Sequence, residues 1–113
     1  MIADDPKLQA LRQRYAAGLS DKRSALLAQW RAWRASGHDD EHLRELAMQA
    51  HRLAGSAGCY GYATIGMHAG RLDDLASERL QYGAAIDPPQ LDLAMSALLG
   101  AIDSAVEDGS PSR

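Results

Sequence analysis

The chain has 113 residues carrying 15 acidic and 12 basic side chains, a formal charge of −3 that lacks the basic footprint a nucleic-acid binder needs. Its 46% hydrophobic content rests on 15 Leu and 21 Ala, while β-branched residues are confined to Ile2, Thr64, Ile65, Ile86, Ile102 and Val106, a composition that argues against a sheet. The length suits one domain with a modest core, and the lone Cys59 excludes an intrachain disulfide. No basic-then-apolar leader and no run of about 18 uncharged apolar residues is present, so neither secretion nor a membrane span is expected and the cytoplasm is the expected compartment.

Helix signals follow in chain order. Asp4 or Asp5 before Pro6 suits an N-cap, and Leu8, Leu11, Tyr15 and Leu19 recur at helical spacing. Ser20 is a candidate cap for a helix carrying Leu26, Trp30 and Trp33 up to Ser36-Gly37; because the two stripes are nearly in phase, one long helix weakly interrupted at Gly18 is equally compatible. A third helix opens near Asp39-Asp40, with Leu43, Leu46, Ala50, Leu53 and Ala57 on its apolar stripe. Gly58 and Gly61 are expected to bracket a turn holding Cys59 and Tyr60. Ile65, Ala69, Leu72 and Ala76 mark a fourth helix ending between Leu80 and Gly83, and Asp87-Pro88-Pro89 opens a last one bearing Leu91, Met95, Leu98, Ile102 and Ala105. Short connections between amphipathic helices give an all-α fold, an antiparallel four-helix bundle with an additional short N-terminal helix, over residues 1–108; residues 109–113 read as a disordered tail.

One histidine stands apart. At about 100° per residue the third helix's core stripe spans roughly 80° of arc, and His51 points about 120° from its centre, toward solvent. Its neighbours on that face are Ala47, Met48, Ala54, Gly55 and Gly58, with Arg44 a turn further back. A glycine inside a helix is unfavourable by up to about 1 kcal/mol relative to alanine, so Gly55 beside an exposed imidazole suggests that something bulky approaches the ring. Imidazole, with an unperturbed pKa of about 6.5, keeps a free lone pair at neutral pH and serves as a nucleophile.

The run Ala50-His51-Arg52-Leu53-Ala54-Gly55-Ser56-Ala57-Gly58-Cys59-Tyr60-Gly61, followed by Ile65, Leu72 and Asp73, resembles the signature of the histidine-containing phosphotransfer (HPt) family, His-x-Leu-Lys-Gly-Ser followed by small residues, a glycine and an amphipathic helix. The resemblance implies a phosphorelay carrier in which His51 accepts a phosphoryl group from a receiver-domain aspartate and passes it to another receiver. Gly55 then clears the ring, Ser56 and Ala57 are small packing residues, and Gly61 is the turn glycine. The family's lysine three residues after the histidine is replaced by Ala54, and Arg44, or less favourably Arg52, could stand in for it. Met48, Arg52, Gly58, Cys59 and Tyr60 are expected to line the docking surface. The carrier needs no cofactor of its own, Mg²⁺ being expected in the partner receiver, and it is not an enzyme: no GxxxxGK[ST] loop is present. Receiver domains are the expected partners and a monomer the expected state.

Plainer readings stand beside these. His38 and His42 at i, i+4 among acidic residues read as surface decoration in preference to a metal site. His68 reads as half-buried packing, Trp30 and Trp33 as core anchors, Cys59 as buried and inert, and Asp73, Asp74 and Glu78 as a solvated face. Gly55 and Gly58 could instead serve a close helix crossing. The rival functions are a docking module of the same fold that is never phosphorylated, and a structural bundle that mediates self-association.

Overall fold

The computed structural model of the chain describes residues 5–108. Asp4 and the expected tail at 109–113 lie outside the described residues. Five helices follow one another: α1 (Pro6–Ala17), α2 (Leu19–Ala35), α3 (Asp40–Cys59), α4 (Ala63–Tyr82) and α5 (Pro88–Asp108). The described residues are helices and connections without a strand, and the chain is an all-α bundle.

Asp5 is the cap of α1, its carboxylate accepting from the Lys7 N–H at 2.9 Å, with Pro6 at the first helical position. The choice between two N-terminal helices and one long helix resolves at Gly18. This residue keeps a right-handed conformation (φ −87°, ψ −6°) and joins α1 to α2 with a single-residue break, so α1 is a bent extension of α2. Asp39 caps α3 through the Glu41 N–H at 2.7 Å, and Asp40 and Glu41 place negative charge on its first turn. The helix does not stop at Gly58, where the glycine pair suggests a turn, but continues to Cys59. Of the two glycines only Gly61 takes the left-handed conformation that reverses the chain (φ 89°), while Gly58 remains an ordinary helical residue. Gly83, at φ 68°, ends α4 in the same way.

Neighbouring helices run antiparallel. Arg79 near the end of α4 pairs with Asp40 at the start of α3, and Arg23 early in α2 pairs with Asp103 late in α5. The core is filled by the expected stripes: Leu43, Leu46, Ala50, Leu53 and Ala57 of α3, Ile65, Ala69, Leu72 and Ala76 of α4, and Leu91, Met95, Leu98, Ile102 and Ala105 of α5 are all buried, joined by Leu26 and Trp33 of α2. Trp30 packs at the core edge and His68 is half-buried, as the spacing indicated. The closest helix pair is α3 with α4. The two backbones come close at Gly66, where an added Cβ would sit 3.4 Å from the Ala54 carbonyl oxygen and 3.5 Å from the Gly58 nitrogen. The glycine that permits this crossing therefore belongs to α4; at Gly55 and Gly58 a Cβ would meet nothing within 4 Å, so close crossing does not explain either.

Candidate functional site

His51 projects from the middle of α3 with 78% of its side chain exposed. Its Nδ1 lies 2.8 Å from Oδ2 of Asp73, on the facing turn of α4. A carboxylate accepts hydrogen bonds and cannot donate them, so Nδ1 carries the proton and Nε2 is left with its lone pair directed outward. Asp73 is itself held: its side chain is only 19% exposed, and Oδ1 accepts a 3.0 Å hydrogen bond from the Ser77 hydroxyl one turn along α4. The chain Ser77, Asp73, His51 thus fixes both tautomer and ring orientation, the role a buried carboxylate plays for many reactive histidines.

This corrects the reading of Asp73 as part of a solvated face. Asp74 and Glu78 are exposed, but Asp73 lies on the seam with α3 and is the partner of His51. The signal in the sequence that points to this role is its position, one residue beyond the buried Leu72 and so at the rim of the stripe.

The other candidates divide between two faces. Gly55, Gly58, Met48 and Arg44 are exposed on α3, the helix of His51, and Met67 of the adjoining α4, not anticipated, is a further large apolar side chain left 63% exposed. Ala47, placed on this face by the helical wheel, is buried at the α4 side of the core. Ala54 is half-buried against α4, its Cβ 4.0 Å from where a Cβ on Gly70 would stand. No cation therefore occupies the position of the family lysine, and Arg44 is exposed without an ion pair among the described residues. Arg52 is exposed but turns toward α2, where with Lys22, Leu26, Gln49 and Ser56 it lines a cavity of about 220 Å³ on the side away from Asp73.

Three residues at the end of α3 behave differently from expectation. Cys59 is exposed, not buried: extension of the helix past Gly58 carries the thiol outward, where it sits 3.4 Å from the Gly55 carbonyl oxygen. Ser56, expected as a small packing residue, instead shares a 2.7 Å hydrogen bond with the Tyr15 hydroxyl of α1. Tyr60, expected in the docking surface, is half-buried and stacks on Tyr15 at a centroid distance of 4.5 Å. Tyr62 also stacks on Tyr15, at a centroid distance of 5.7 Å, and burial raises the pKa of Tyr15 and Tyr62 above the ordinary 10.0.

His38 and His42 do not form part of a metal cluster: among the described residues no three metal-ligating side chains come together, and His38 stacks on Trp33 at 4.2 Å. No described helix is long and apolar enough to cross a membrane. The site as built offers one accessible nucleophilic nitrogen, a tethered proton on the opposite side of the ring, and a surface of small residues beside it. No significant match is found among the curated proteins or among the solved structures. The sequence profile of the Hpt domain matches residues 7–107, so the chain belongs to the Hpt domain family, the phosphotransfer-type modules of two-component signalling.

Proposed function

We propose that this chain is a phosphorelay intermediate in which His51 accepts a phosphoryl group from the aspartyl phosphate of one receiver domain and returns it to the aspartate of another. The observation that supports it most is the exposed Nε2 of His51, with its proton partner Asp73 on the far side of the ring. In the forward step the Nε2 lone pair attacks phosphorus, the new N–P bond forms as the P–O bond to the donor carboxylate breaks, and that carboxylate leaves as an anion. The proton stays on Nδ1 throughout, so the ring becomes a phosphoimidazolium whose positive charge lies against Asp73. Onward transfer breaks the N–P bond and returns the electron pair to Nε2. No proton has to leave or arrive, which suits a reversible carrier.

Position supplies most of what such a transfer needs from the histidine side. The charge on the phosphoryl group is met mainly by cations of the receiver, whose acidic site is the place for Mg²⁺; Arg44, exposed two turns before His51 on α3, is the cation this chain would contribute. Gly55 and Gly58 leave room for the partner, and Met48, Met67 and the exposed Cys59 give it apolar contact of the modest extent suited to a transient encounter. The compartment of such a relay is the cytoplasm.

One observation favours a second reading. Ala54 leaves the lysine position empty of charge, which suits a module that docks on a receiver without taking its phosphate. Incubation with receivers preloaded with phosphate separates the two. The carrier acquires an acid-labile, alkali-stable phosphate on His51, lost completely in His51→Gln with helix content unchanged; a docking module binds the same receivers and stays unlabelled. Equal labelling of wild type and His51→Gln would remove His51 from the chemistry.

A further inference from the structure

We propose that Ser77 is a positioning residue for the nucleophile, acting through Asp73 to hold His51 in the tautomer that leaves Nε2 free. The proposal rests on the phosphotransfer reading for its rate consequence, and on the geometry alone for its effect on the ring.

An aspartate on a helix can rotate its carboxylate, and a carboxylate that turns presents a different oxygen, or none, to its neighbour. Here both oxygens are engaged at once. Oδ2 accepts from His51 Nδ1 at 2.8 Å, and Oδ1 accepts from Ser77 Oγ at 3.0 Å. Ser77 stands four residues after Asp73, so the two side chains lie on one face of α4, and the serine is half-buried while His51 is open to water. A serine within a helix ordinarily bonds back to the carbonyl of its own preceding turn. Its hydroxyl is here spent on a side chain whose other oxygen holds the imidazole.

The consequence is regiochemical. An exposed histidine free of partners samples both neutral tautomers, and the one protonated at Nε2 presents its lone pair at Nδ1, on the side closed by α4. Pinning the carboxylate removes that unproductive form. With Ser77 absent, water competes for Oδ1, the carboxylate gains rotational freedom and the Nδ1–H tautomer loses population.

The test uses the full chain with ¹⁵N-labelled histidine and phosphoramidate as phosphoryl donor, which needs no receiver: Nε2 attacks phosphorus, the donor P–N bond breaks and ammonia leaves. Ring ¹⁵N shifts report the His51 tautomer ratio, and ³¹P–¹⁵N coupling reports which nitrogen takes the label. The expected result is a Ser77→Ala chain with unchanged helix content, a measurable share of the Nε2–H tautomer and a labelling rate lower by up to roughly tenfold, the scale of one ordinary hydrogen bond. Ser77→Thr, which keeps the hydroxyl, restores both. A Ser77→Ala chain with the wild-type tautomer ratio and the wild-type rate overturns the proposal. If the wild type takes no label from phosphoramidate or from any receiver, the phosphotransfer reading fails, while a tautomer shift in Ser77→Ala still upholds the role of Ser77.

Discussion

Two parts of the molecule are held in opposite ways. The α3–α4 pair is built on apolar packing: every stripe residue on the facing sides is buried, and Gly66 lets the helices close on each other without an intervening side chain. The N-terminal helix α1 buries no residue completely and is fastened at one end, by the Tyr15–Ser56 hydrogen bond and the stacking of Tyr15 with Tyr60 and Tyr62. The histidine and its aspartate both stand on the first part. A reactive ring that must keep its orientation through repeated encounters belongs on the elements least able to open, whereas an element held by three aromatic rings and a hydroxyl can loosen without disturbing it.

The strongest way to break this contrast is a cavity in the pair. Leu72 is fully buried on α4, and Leu72→Ala is expected to lower unfolding stability by about 2–5 kcal/mol, read from urea titration. Leu11 of α1 is 43% exposed, and the same truncation there is expected to change stability by no more than about 0.5 kcal/mol. Comparable losses at the two positions would show that α1 is as integral to the bundle as α4.

A smaller effect separates the fastening from the core. Tyr15→Phe keeps the ring stack and removes the bond to Ser56, with an expected loss of about 1 kcal/mol felt as faster amide exchange in α1 and not in α3 or α4. The same residue gives the fastening a pH limit. Burial raises the Tyr15 pKa in the folded state, so its contribution is complete below the ordinary 10.0 and is lost as pH climbs above that value through the folded one. Tyrosinate absorbance and helix circular dichroism followed together should show Tyr15 and Tyr62 ionising late, with the loss of helix signal tied to the Tyr15 share, which is absent from Tyr15→Phe. Ionisation of Tyr15 at the ordinary value with α1 intact contradicts the fastening.

The same contrast decides what was legible in the sequence. Within a helix the period is decisive: the α3 stripe and the exposure of His51 follow from angle alone, and each is where the spacing puts it. Between helices the period is silent. That Asp73 meets His51 depends on the register of α4 against α3, which Gly66 helps set by close approach, and no pattern in the sequence measures that distance. Tyr15 reaches Ser56 because of the direction of the bend at Gly18, a single backbone conformation with no period to announce it. The exposure of Cys59 is not legible because Gly58 and Gly61 look alike as breakers in the sequence, although only Gly61, with its positive φ, ends the helix.

A small expected gain in the fold is also the change that sharpens the site most. Gly55 neighbours His51 on α3, and a Cβ there would touch nothing within 4 Å. Gly55→Ala therefore relieves the entropic weakness of a helical glycine without a clash, and the bundle should gain about 0.5–1 kcal/mol, read from urea titration. If the glycine exists to admit a partner, that gain comes with slower labelling of His51 by a phosphorylated receiver, whose loops must pass over the new methyl group, and with unchanged labelling by phosphoramidate, which is small enough to reach Nε2 regardless. A parallel fall with both donors would mean that the methyl disturbs the ring itself. An unchanged rate with the receiver would mean that the open space at residue 55 serves no docking role, and the small-residue surface beside His51 would lose its functional explanation.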